Sequence, residues 1–149
     1  MQMKRTCAME LDEFRRIHSQ LIEHYQFVEF NLEGIYASIC GEPFVRGLHM
    51  VENDNIQRLI SKIHAIERQS GELYLSEEEC ERLEELCRRR NFWCHNCYVD
   101  LVFDSRTGGI KKESDVRALM DDFREAEDMR KLLFEKKLPL MPKATNDNL

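Results

Sequence analysis

Over residues 11–40 the apolar and half-apolar positions Leu11, Phe14, Leu21, Tyr25, Val28, Leu32, Ile35 and Ile39 recur in steps of three, four or their sum. That spacing predicts one long helix with a buried stripe, because residues three and four apart share a helix face. Ile17, Ile22, Phe27 and Phe30 widen the stripe, so neighbours are expected on two sides of the helix. Gly41 as the residue past the cap and Pro43 just beyond should stop it.

A loop holding "GEPFVRG" is expected next, and then a second, shorter helix over 53–68 on Ile56, Leu59, Ile60, Ile63 and Ile66, with Asn53, Asp54 or Asn55 as its cap. Gly71 breaks the pattern. Ser76 followed by Glu79 reads as a capping box that opens a third helix running to about Phe103. A fourth periodic segment starts at Glu113 or Ser114, places Val116, Leu119, Met120, Phe123, Ala126, Met129, Leu133 and Phe134 on one face, and ends near Lys137. Lysines at 131, 136 and 137 suit the negative end of its dipole. These segments predict an all-α, up-and-down four-helix bundle spanning residues 1–137, with 138–149 as a loose tail.

Composition agrees with this picture. Among 149 residues, 42% are apolar and 34% charged, with only six Gly and three Pro, which is the balance of a helical chain able to bury a core without staples. The formal net charge of −6 counts against a general nucleic-acid coat, so a polyanion would have to meet a local patch. The first residues contain no apolar run of the kind a secretory signal needs, and no segment reads as a membrane span. A cytoplasmic location without a membrane partner is the expectation, in which the six cysteines stay reduced.

Candidate chemistry concentrates in "RRRNFWCHNCY", residues 88–98. On the third helix Cys80, Leu83, Cys87, Arg90, Cys94, Cys97 and Leu101 fall on one stripe. Arg90 interrupts an otherwise apolar seam, and a guanidinium there calls for a partner or a wet cleft. Asn91, His95 and Tyr98 share a second stripe, with Arg88 almost in line. Arg90 and His95 are five residues apart, about 140° around the helix, so they meet only through a long side chain, a kink or a second copy of the helix. A homodimer is the natural expectation.

The segment "RNFWCH" resembles the R-x(4–6)-H motif of the HEPN superfamily, in which a polar residue such as Asn often follows the arginine, as Asn91 does here. The motif is short, whereas the similarity of helical layout covers about residues 11–137. The resemblance implies a helical bundle that dimerises and a metal-independent ribonuclease needing no cofactor, in which arginine and histidine from two protomers form one cleft. It assigns Arg90, Asn91 and His95 as catalytic and leaves Arg88, Arg89 and Tyr98 as RNA-binding candidates. Arg88 and Arg89 also lie at permitted spacings from His95, so the choice of Arg90 rests on Asn91. A toxin or defence role, with a protein antitoxin as partner, follows only from the same resemblance, which also includes members that act as non-catalytic interaction modules.

RNA cleavage without a metal needs a base for the 2′-hydroxyl proton and a cation for the charge gathering on the phosphoryl oxygens. An imidazole, with an intrinsic pKa of about 6.5, can be that base. A fixed guanidinium can be that cation. By the resemblance, Asn91 orients the histidine or the phosphate, and the product carries a 2′,3′-cyclic phosphate. Cys94 and Cys97 around His95 use zinc-ligand chemistry, but no second pair of suitable spacing completes a four-ligand site. His18, between Phe14 and Leu21, reads as a hydrogen-bonded core histidine, and Phe92 and Trp93 read as core anchors.

Overall fold

The computed structural model describes residues 9–95, 97–100 and 113–143, and the regular elements among them are all helical. In order they are α1 (Leu11–Ile39), α2 (Phe44–Val51), α3 (Ile56–Ser70), α4 (Glu77–His95), α5 (Cys97–Asp100) and α6 (Glu113–Lys137), with a 3₁₀ turn at Leu138–Leu140. The chain is an all-α protein. The expected extension of the third helix to Phe103 lies partly outside the described residues, as do Cys7, Leu101 and residues 144–149. Within them, α4 ends at His95 and the short α5 begins at Cys97.

The stripe expected on α1 is the core: Phe14, Leu21, Val28, Leu32 and Ile35 are fully buried and Tyr25 nearly so. Full burial of each such side chain contributes about 1.5–3 kcal/mol, so the six together far outweigh the about 0.5–2 kcal/mol that the missing side-chain cap at Glu10 could contribute. Packing, not capping, therefore sets the register of α1. Both ends of α3, the start of α4 and the end of α1 are capped as the sequence suggests. Asn55 accepts from the Arg58 backbone N–H at 2.9 Å, and Ser76 and Glu79 exchange bonds of 3.1 and 3.0 Å in a capping box. Gly41 and Gly71 take the left-handed conformation, φ 80° and 75°, that ends α1 and α3.

The segment expected as a loop around "FVRG" is instead a helix, α2, with Pro43 at its cap and Val51 fully buried. Its Gly47 reads as a breaker in sequence but serves as a contact. A Cβ there would stand 2.8 Å from the Ala37 Cα and 2.9 Å from the Cys40 Sγ, so only glycine lets α2 lie this close to α1.

Helix directions follow from which residues meet. His24 stacks edge-on against Phe123, Arg130 covers Phe27 and Lys137 reaches Asn31, so contacts advance in the same sense and α1 runs parallel to α6. By contrast, Lys136 reaches Glu79, Arg82 reaches Glu125 and Arg89 reaches Asp122, so α4 is antiparallel to α6. Parallel first and last helices depart from strict up-and-down order. Both present their stripes to α4, and α4 carries the candidate residues.

Candidate functional site

The seam of α4 begins as expected, with Cys80, Leu83 and Cys87 buried. Toward its C-terminus the seam turns away from Cys94, which is exposed, and onto Trp93, which is 1% exposed. The expectation that Cys94 belongs to the apolar seam is thus corrected. The bulkier indole occupies the place one residue earlier, as drift of a 3.6-residue turn allows. Cys97 returns to the core, so Cys94 and Cys97 face different surroundings. Among the described residues no three His, Cys, Asp or Glu side chains converge as a metal site requires.

Trp93 anchors this end of the molecule. Its Nε1–H donates to Asp122 Oδ2 at 2.6 Å, and Arg89 Nε donates to the same oxygen at 2.7 Å. The Arg89 guanidinium also lies over the Phe92 and Trp93 rings, 5.1 and 5.8 Å from their centroids. His18 reaches across from α1 to the Trp93 carbonyl, with Nε2 at 2.9 Å. A carbonyl can only accept, so Nε2 carries the proton and Nδ1 is free to accept from the Tyr98 hydroxyl at 3.1 Å. His18 is therefore the hydrogen-bonded histidine its position suggests, and it ties α1 to α4 and α5.

Each arginine of the triple meets a carboxylate of its own chain. Arg88 bonds Glu85 one turn back, with Nε at 2.8 Å. Arg89 is held by Asp122 on α6, and Arg90 by Glu29 on α1. Burial raises the Glu29 carboxyl above the usual carboxylate range while the Arg90 charge and hydrogen bond pull it down. Arg90 keeps 29% of its side chain exposed, so its guanidinium is braced and still reachable.

Asn91 and His95 are exposed, together with Arg88 and with Tyr98 at 41%. These four side chains form the solvent-facing stripe expected from their spacing. Arg90 turns to Glu29 on α1, while His95 lies exposed at the end of α4. Tyr98 reaches this face with its hydroxyl already donating to His18. Glu29, Asp122 and His18, which organise the site, lie on other helices 61, 29 and 75 residues from their partners, and no local pattern could have selected them.

A second constellation went unnoticed in sequence. His64 Nδ1 lies 2.6 Å from Glu67 Oε1, His64 Nε2 lies 3.4 Å from Cys80 Sγ, and Glu67 Oε2 accepts from the Tyr74 backbone N–H at 3.0 Å. The order is that of a thiol–imidazole–carboxylate triad. Its electrostatics oppose a nucleophile: burial, then Glu67, Glu79 and Glu84, push the Cys80 thiol up to about 11. Cys80 thus stays a protonated thiol, and the network joins α3 to α4.

No protein-family model, curated protein or solved structure matches this chain. What is established of its class is the all-helical architecture, in which no helix of the described residues is long and apolar enough to cross a membrane.

Proposed function

We propose that the chain is a HEPN-like, metal-independent endoribonuclease, and that two copies of its helical fold build one cleft from the C-terminal ends of their α4 helices. The observation that carries this reading is the exposed stripe of Asn91 and His95 on the same helix as an Arg90 guanidinium whose direction Glu29 fixes. Within one chain the two groups diverge, and a second copy supplies the missing half.

In this mechanism His95 takes the 2′-hydroxyl proton and the 2′-oxygen attacks the adjacent phosphorus. Arg90 stabilises the charge on the non-bridging oxygens, and the P–O5′ bond breaks as the 5′-oxygen takes a proton from a water molecule. The products are a 2′,3′-cyclic phosphate and a 5′-hydroxyl. Asn91 orients the phosphate, and Arg88 with Tyr98 contacts the flanking strand. Arg89 is bound to Asp122 beneath Trp93 and acts as a brace. A toxin or defence role, paired with a protein antitoxin, is the biological setting this reading suggests.

The test is RNA cleavage in EDTA by wild type, His95→Ala and Arg90→Ala, with product ends identified by mass spectrometry. Loss of general-base catalysis should lower the rate about 10²- to 10⁴-fold while helical dichroism is unchanged. A wild type no faster than buffer, or a His95→Ala protein that cuts equally well, sinks the proposal.

The second reading, a non-catalytic interaction module of the same fold, is favoured by one specific observation: each of Arg88, Arg89 and Arg90 already has an acidic partner in its own chain. In that case Arg90→Ala weakens association and the protein shows no RNA cleavage.

A further inference from the structure

A groove of about 260 Å³ lies between α1 and α6, apart from the α4 face. Phe27 and Phe30 were expected to meet neighbours on a second side of α1, but they stand 38% and 51% exposed, and Phe134 from α6 is 46% exposed. Three open phenyl rings share one hollow, and contiguous apolar surface of this kind marks binding sites.

Its charged groups have one sign. The groove is lined by Arg130, Lys131, Lys137 and the amide of Asn31, with no carboxylate among the lining residues. Lys131 pairs with Glu127 at 3.3 Å and Arg130 touches Glu23 at 3.9 Å, so those two charges are partly answered at the rim. Lys137 differs. It is only 5% exposed, and its Nζ donates to Asn31 Oδ1 at 2.7 Å.

The Lys137 ammonium lies 4.6 Å from the Phe30 centroid and 5.3 Å from that of Phe134. Two of its three donors are left for another acceptor. Burial lowers the pKa of its ammonium below the usual lysine value. The absence of a side chain at Gly34 leaves space for its stem: a Cβ there would stand 2.5 Å from Lys137 Cδ. Asn31, itself 2% exposed, is fixed from behind by its bond to the Arg130 carbonyl at 3.1 Å. The buried cation is held in place by a positioned amide and opens onto phenyl rings.

We propose that this groove binds a small apolar carboxylic acid, its carboxylate on Lys137 and Arg130 and its hydrocarbon body across Phe27, Phe30 and Phe134. Charge complementarity selects this occupant. A second copy meeting the groove across a two-fold axis would set cation against cation. A neutral hydrocarbon would leave the ammonium unanswered.

Octanoate serves as the probe, with 1-octanol and octylamine as neutral and cationic controls, titrated by calorimetry into the full chain. Octanoate should bind one to one, and 1-octanol at least about tenfold more weakly, since a charge-assisted bond is lost. Phe134→Ser changes an exposed side chain and keeps the fold, and it should weaken octanoate about tenfold, as should Lys137→Met. Equal binding of octanoate and octanol, or octanoate binding indifferent to Phe134→Ser, overturns the proposal. So does a chain that ignores octanoate but becomes monomeric, or loses oligouridylate binding, on Phe134→Ser. None of these results depends on RNA cleavage, so this inference and the α4 proposal fail separately.

Discussion

Replacing Arg90 by Met isolates what the ion pair with Glu29 contributes. The two side chains keep 29% and 20% of their surface exposed, so the pair lies between two limits. A fully buried pair broken on one side costs about 3–5 kcal/mol, and an exposed one about 0.2–1 kcal/mol. Screening through the exposed part places Arg90→Met at about 1–2 kcal/mol, and about 1 kcal/mol of that should return in the double variant Glu29→Gln, Arg90→Met. The loss must also depend on pH. In the folded chain burial raises Glu29 above its ordinary 4.5, and removing Arg90 leaves that push unopposed. A raised carboxyl favours folding while protonated, and that stability is lost as pH rises through the folded value. The deficit of Arg90→Met should therefore be small near pH 4.5 and full at pH 7. Urea unfolding followed by helical dichroism measures both. An equal deficit at the two pH values, or additive single substitutions, would show that the guanidinium and the carboxylate are not coupled.

Three further outcomes follow from the same geometry. Asp122→Ala leaves the buried Trp93 N–H without its acceptor and should lower stability by about 1–3 kcal/mol in the same urea assay, whereas an unchanged midpoint refutes that bond. Gly47→Ala should destabilise by about 1–2 kcal/mol net, because α2 must move off Ala37 at a cost that exceeds the roughly 1 kcal/mol gained in helix propensity; a more stable variant would mean that the contact is loose. With iodoacetamide and peptide mapping, exposed Cys94 should be alkylated at pH 8 while Cys80, held up to about 11, stays unmodified. Preferential labelling of Cys80 would restore the triad as a reactive centre.

Long-period features were readable from sequence because each is local. The α1 stripe from Phe14 to Ile35, the Ser76–Glu79 box and the terminal Gly41 and Gly71 depend on residues within a turn or two of one another. So does the exposed stripe of Arg88, Asn91, His95 and Tyr98. Helix α2 escaped because a mid-helix glycine is an unfavourable local choice that only the approach of Ala37 justifies. The brace on Arg90 escaped for a related reason: periodicity said that a guanidinium in the seam needs a partner but could not say that Glu29, on α1, supplies it. Phe27 and Phe30 show the opposite failure. Apolar character implied a neighbour, whereas the fold leaves both rings open beside Arg130 and Lys137.

The chain has a single tryptophan, and Trp93 sits where α1, α4 and α6 meet, bonded to Asp122 and within 6.1 Å of the His18 ring. Its emission is therefore a built-in optical gauge of that junction. Anything that shifts the last turns of α4 moves the indole against Asp122 and the His18 ring, so such a shift can be timed in solution without attaching a dye.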